Sequence, residues 1–163
     1  MGSVVSGHDY ESVFTQSCFV ELVDDFADRA LAFIESFHDR PFFCYVPLNT
    51  PHSPMMVPDR FYDRFADRDP AMWHYQRSQE DVMMTRAALA LCENIDWNVG
   101  RMLDALERRG VLDKTFIVFT SDHGEMLGDH GLFTKGVKHY DQGIRCPLIV
   151  AGGPVATRRL HPV

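Results

Sequence analysis

The sequence predicts an α/β fold in which a mostly parallel sheet is flanked by helices. Three observations carry that expectation. Two long stretches repeat apolar residues at helical spacing, three short apolar runs have strand length, and helices and strands alternate in an order that suits right-handed crossovers. The conspicuous polar residues follow the ends of strands, where open α/β sheets collect ligands.

The first helix is expected from Phe19 to Phe37, with apolar residues at 19, 22, 23, 26, 30, 34 and 37. Ser17 suits its N-cap, and Pro41 behind the polar His38-Asp39-Arg40 stops it. Phe42-Phe-Cys-Tyr-Val46 is apolar on both faces, as an inner strand of a covered sheet should be. Leu48-Asn-Thr-Pro-His-Ser-Pro54 must then be loop, because its prolines break regular pairing.

Residues 58–65 are expected to form a short helix and 67–75 a loop. Ser78 to Asp81 resembles a capping box with Asp in place of Glu. Apolar positions 84, 88, 91, 95, 99, 102, 103 and 106 then define a long second helix ending at Gly110, with Arg108 and Arg109 in its last turn. Thr115-Phe-Ile-Val-Phe-Thr120 is the second strand. A glycine-rich polar loop runs from Ser121 to about Arg145, and Pro147-Leu-Ile-Val-Ala151 supplies a third short strand.

Length and composition fit a globular α/β unit: 163 residues, 45% of them hydrophobic, with no internal repeat or linker. The net charge of −7 argues against a nucleic-acid or anionic-membrane surface, while leaving room for a small cationic pocket. No apolar run reaches the roughly 18 residues of a membrane span. The first residues lack the pattern of a signal peptide, so the chain as written reads as cytoplasmic. Cysteines 18, 44, 92 and 146 are scattered without a C-x-x-C pair and read as buried free thiols, with Cys18 undecided.

The densest chemistry lies in Ser121-Asp-His-Gly-Glu-Met-Leu-Gly-Asp-His-Gly-Leu-Phe-Thr-Lys135, where three carboxylates, two imidazoles, three glycines and a lysine share fifteen residues. Asp122 and His123 have two readings. They are a turn cap and a solvated neighbour, or a carboxylate and an imidazole for one cation, with Ca²⁺, Mg²⁺ or Mn²⁺ suiting the oxygen and Zn²⁺ also suiting the nitrogen. Glu125, Asp129 and His130 are weaker ligand candidates. His52, between Pro51 and Pro54, has a prepositioned ring that could protonate a leaving oxygen. Lys135 is either an exposed lysine or an anion clamp.

Four blocks, in order, resemble the sulfatase family of the alkaline-phosphatase superfamily. They are Pro41-Phe-Phe-Cys-Tyr-Val-Pro-Leu-Asn-Thr-Pro-His-Ser-Pro54, Asn98-Val-Gly-Arg-Met-Leu-Asp-Ala-Leu106, Thr115 to Gly131, and Lys135-Gly with Ile144-Arg-Cys-Pro-Leu-Ile-Val150. The resemblance implies that Asp122 and His123 are ligands of a divalent cation, usually Ca²⁺, with His123 standing where many members carry Asn. It also implies that His52 assists departure of the alcohol and that Lys135 binds the anionic ester.

The family's C/S-x-P-x-R motif, whose Cys or Ser matures to formylglycine, has no match here. Its paired N-terminal Asp is also unmatched, because Asp24 and Asp25 fall inside the first helix, and so is its further Lys and His block. Residues 1–163 are therefore expected to be the later portion of a sulfatase catalytic domain, without the nucleophile region or C-terminal subdomain and inactive alone. The missing part of the domain is an expected partner, and apolar faces meant for it should stand exposed. Two alternatives remain: a phosphonate monoester or phosphodiester hydrolase of the same superfamily, and a non-catalytic remnant or partner-binding fragment.

Overall fold

The structure is a computed structural model that describes residues 2–4, 22–36, 40–70, 79–136 and 138–153. In chain order it contains β1 (Gly2–Val4), α1 (Leu22–Ser36), β2 (Met56–Pro58), α2 (Asp59–Tyr62), α3 (Gln79–Arg108), β3 (Ile117–Thr120), α4 (Asp141–Ile144) and β4 (Leu148–Ala151). The expected caps Ser17 and Ser78, and Phe19, Phe37 and Cys18, lie outside the described residues.

The thirty-residue α3 is the spine, and two apolar clusters form along it. Its N-terminal half packs Ala87, Ala88, Ala90 and Leu91 on Val57 of β2, Phe61 of α2 and Met55 just before β2. Met83 and Met84 join that cluster, so the methionine pair serves packing. Its C-terminal half packs Ala105 and Leu106 on Ile34 of α1, with Phe42, Leu112 and Ile117 against them. On α1 the buried residues are Val23, Ala27, Ala30 and Ile34, three and four apart on one stripe.

The seam between α1 and α3 also holds a polar network. Asn94 and Asn98 of α3 have 0% exposure. The Asn98 side-chain amide donates to Asp24 at 2.7 Å and to the Asn94 side-chain oxygen at 2.9 Å. Its own oxygen accepts from Arg101 at 2.8 Å, and Arg101 reaches on to Asp28 at 2.5 Å. The other Asp24 oxygen takes Arg60 of α2 at 2.7 Å. Trp97 lies near both guanidiniums, 5.2 Å from Arg60 and 4.8 Å from Arg101.

The end of α3 follows the expectation closely. Gly110 takes φ +65°, its N–H donates to Glu107, and the Val111 N–H donates to Leu106, which is a Schellman stop. Arg109 turns back and donates to the Ile34 and Glu35 carbonyls, capping the end of α1.

Three expectations change. The described ladders, β1 with β2 and β3 with β4, are both antiparallel, so the expected parallel pairing does not occur among the described residues. Phe42–Val46 forms no ladder with any strand among the described residues, so the expected inner strand is not seen there. Cys92 and Cys146 are exposed and Cys44 is half-buried, whereas the apolar context of all three suggested burial. Cys92 occupies an outward position on α3, and Cys146 precedes a strand that is exposed along its whole length. All three are free, and partial burial pushes the Cys44 thiol upward. No helix among the described residues is long and apolar enough to cross a membrane.

Removing the central amide should show how much the seam contributes. Asn98→Ala is expected to lower unfolding free energy by roughly 2 kcal/mol, since it strips the buried Asn94 side-chain oxygen and the partly buried Asp24 carboxylate of a donor. Arg29→Ala, which breaks only the exposed pair with Asp25, should cost less than about 0.5 kcal/mol. Urea titration followed by circular dichroism measures both.

Candidate functional site

The site grows from the C-terminal end of β3. Ile117 anchors that strand in the apolar cluster at the base of α3, and Ser121 to Glu125 leave it as irregular chain. Asp122 is exposed, and one of its oxygens accepts the His123 backbone N–H at 3.0 Å. This is the capping role that the sequence allowed, and it leaves the second oxygen available.

The His123 ring nitrogen Nδ1 lies 2.7 Å from the Gly124 carbonyl oxygen. A carbonyl can only accept, so Nδ1 carries the hydrogen and Nε2 becomes the working atom. Nε2 faces the second Asp122 oxygen at 3.6 Å. It can pair with that oxygen as an imidazolium, or act with it as a donor to a cation whose bonds run roughly 2.3–2.6 Å. A backbone carbonyl that fixes the opposite nitrogen is also the usual arrangement of a metal-ligating histidine. The donor pair therefore fits a divalent cation, though among the described residues no group of three or more His, Cys, Asp or Glu gathers to complete one.

Lys135 and Glu125 meet across the loop, with Nζ 3.8 Å from one carboxylate oxygen. The other oxygen accepts the Met126 N–H at 3.0 Å, so Glu125 is tied to its own backbone and holds the lysine from a fixed point. Both side chains are partly buried. The sequence treated Glu125 only as a weak ligand. Its signal was a carboxylate and a lysine at opposite ends of a glycine-punctuated segment.

That segment folds back on itself. The Leu127 N–H donates to Phe133 and the Gly128 N–H to Leu132, with the single turn Asp129–Gly131 at the tip. His130 takes φ +56° and its ring stacks on Tyr140 at 4.0 Å, so it is held by an aromatic contact at the base of α4. Lys138 and His139 are exposed. His52 is exposed between two cis prolyl bonds; its backbone N–H donates to the Asn49 carbonyl at 3.3 Å, and its ring Nδ1 lies 2.6 Å from the Ser53 carbonyl oxygen. The same donor argument makes Nε2 its working nitrogen. No hydrogen bond or ion pair joins His52 to the 121–135 loop.

Gly124 sets the placement of Asp122 and His123. Its N–H donates to the Gly143 carbonyl at 2.9 Å, and a Cβ there would collide with the Gln142 carbonyl oxygen and stand 3.0 Å from that of Arg145. Only glycine lets the strand exit lie against the α4 turn.

An Asp–His pair and a Glu–Lys pair thus stand beyond the end of β3, on a frame of helices and short strands whose solved structural neighbours have the alkaline-phosphatase-like fold. A sulfatase family profile matches residues 3–161, and the chain belongs to the sulfatase family. It is 32% identical over 133 residues to an arylsulfatase of Clostridium perfringens, covering 68% of this chain and 27% of that protein. It is 32% identical over 145 residues to a choline-sulfatase of Rhizobium meliloti, covering 72% of this chain and 28% of that protein. The solved YidJ sulfatase of Bacteroides fragilis superposes with a TM-score of 0.71 at 29% identity, over 80% of this chain and 30% of its own. A phosphonate monoester hydrolase of Agrobacterium radiobacter shares the fold, with a TM-score of 0.66 at 24% identity over 93% of this chain and 36% of its own. The chain thus spans less than a third of the length of the two curated relatives.

Gly124→Ala should force the Ser121–Glu125 exit off the α4 turn and destabilise the chain by roughly 2 kcal/mol, as overpacking does. Gly136→Ala meets nothing within 4 Å and should stay within about 0.5 kcal/mol of the parent. Thermal melts together with amide chemical shifts at His123 and Gly143 report the difference.

Proposed function

We propose that this chain carries the cation-binding and leaving-group side of a sulfate-ester hydrolase site. The observation that carries the reading is the Asp122–His123 pair, with its free oxygen and Nε2 3.6 Å apart at the exit of β3. The sulfatase relatives support sulfate as the ester group.

In this reading Asp122 and His123 would hold a divalent cation, Ca²⁺ foremost with Mn²⁺ or Mg²⁺ as alternatives. When bound, the cation supplies positive charge to the ester oxygens. Lys135 binds the same oxygens through Nζ, and the charge that builds on them during S–O cleavage strengthens that contact. Glu125 acts as a positioning residue, keeping the lysine near the site until an anion arrives. His52 carries one proton on Nδ1, held by Ser53, and a second on Nε2, which it delivers to the departing alkoxide so that the product leaves as a neutral alcohol.

The attacking group is the one role that no residue here fills, because no Cys or Ser stands in a C/S-x-P-x-R context. Formylglycine would therefore come from a complementary part of the domain, and the isolated chain is a half-site.

Isothermal titration of the isolated chain with Ca²⁺ should show dissociation weaker than about 1 mM, since two ligands fall far short of the six to eight that Ca²⁺ prefers. Tight saturable binding would overturn the half-site reading. In a protein completed by a nucleophile-bearing segment, Lys135→Ala should lower aryl sulfate kcat/KM by roughly a hundredfold or more. Faster turnover of an aryl phosphonate than of the matching aryl sulfate would move the assignment to phosphonate esters.

A further inference from the structure

We infer that the stack of His130 on Tyr140 is a clasp that sets where Lys135 stands, which makes both rings positioning residues of the anion clamp. The inference rests on the reading of Lys135 as the group that binds the ester oxygens, and it adds the parts of the chain that place that lysine.

The backbone between Glu125 and Lys135 supplies the first sign. Among the described residues only Leu127 and His130 carry a side chain at positive φ, +44° and +56°, and both lie between the two members of that ion pair. Gly128 and Gly131 beside them take φ +101° and +69°. Glycine adopts the left-handed region freely, whereas a Cβ there crowds its own backbone. A side chain kept at such a position has to return something through its contacts. Leu127 does so by packing on the cluster of Met55, Val57 and Phe61. His130 is exposed, so its return is the ring contact with Tyr140.

That contact is a parallel stack, with centroids 4.0 Å apart and ring planes 14° from coplanar. Tyr140 is itself held. Its carbonyl accepts the Gly143 and Ile144 N–H groups at 3.0 and 3.1 Å at the head of α4, and α4 in turn accepts the Gly124 N–H through Gly143 at 2.9 Å. The stack therefore ties the tip of the 127–133 turn to the same short helix that seats the residue after His123. One element refers the lysine's turn and the Asp122–His123 pair to each other.

The clasp controls the limb that returns to Lys135. The outgoing limb is anchored in the core by Leu127 and by Met126, which is 3% exposed. The returning limb is joined to it by two rungs, from the Leu127 N–H to Phe133 at 3.0 Å and from the Gly128 N–H to Leu132 at 2.9 Å. Lys135 lies two residues past the last rung, and its 3.8 Å contact with Glu125 is longer than a hydrogen bond. Such a contact attracts the ammonium without fixing its direction. The course of the returning limb, and with it the reach of Nζ, follows from the tip that the two rings hold.

The test titrates the full chain with inorganic sulfate, read at the Lys135 ε-methylene resonances, and measures hydrogen exchange at the Leu127 and Gly128 amides. The parent should show a saturable shift. Tyr140→Leu should raise the sulfate dissociation constant and the exchange rate at both amides by roughly fivefold, the worth of one aromatic stack. Tyr140→Phe keeps the ring and should match the parent. His130→Gly separates positioning from stability, because it removes the ring and the backbone crowding together. Its melting temperature should stay within about 2 °C of the parent's while sulfate binding weakens as in Tyr140→Leu. Unchanged sulfate binding in His130→Gly would overturn the inference, as would a loss in Tyr140→Leu that Tyr140→Phe fails to restore. Lys135 resonances that ignore sulfate even in the parent, beside amide exchange that still depends on the two rings, would retain the clasp and refute the sulfate-ester reading instead.

Discussion

The interaction on which the rest of the structure depends is the buried amide relay between α1 and α3. Asn98 donates at once to Asp24 and Asn94 and accepts from Arg101, so one side chain ties two helices together and, through Asp24 and Arg60, a third. A partly buried carboxylate is held best when its oxygens are engaged, and here both are. Apolar burial around Ala27, Ala30 and Leu91 supplies most of the driving force, but apolar contact alone would permit sliding. The amides fix register, and that register sets where Phe42 and Ile117 lie and hence where the strand exits begin.

Much of this frame was legible in the sequence. The helical stripes of α1 and α3, the stop at Gly110 and the strand into Ser121 all follow from periodicity and end signals, which act locally. The relay was not legible, since Asn94 and Asn98 resemble any polar residues between apolar positions and their role appears only when a second helix presents Asp24. Phe42–Val46 shows the opposite failure. Its composition does describe an inner strand, yet an inner strand requires neighbours on both sides, and composition cannot supply them.

The candidate site was legible in its residues and less so in its supports. Asp122, His123, Lys135 and His52 stand out by chemistry and position. Their supports do not: Glu125 takes its role from a loop that doubles back, and Gly124 from the close approach of a distant carbonyl. Histidine tautomers likewise depend on which carbonyl a ring meets, and both His52 and His123 meet one through Nδ1. The two imidazoles thus present the same nitrogen outward for different proposed tasks, one to give a proton and one to share a lone pair.

The exposed strand β4 has a thermodynamic consequence. All four of its residues, Leu148 to Ala151, are open to water, and three of them are large and apolar. Burying such a surface in a complex stabilises the native chain only, so apparent stability becomes linked by mass action to the free concentration of whatever covers it. Each tenfold rise in that concentration above the dissociation constant adds about 1.4 kcal/mol. The folding free energy of a polypeptide with such a strand is then a function of whatever in its surroundings covers that surface.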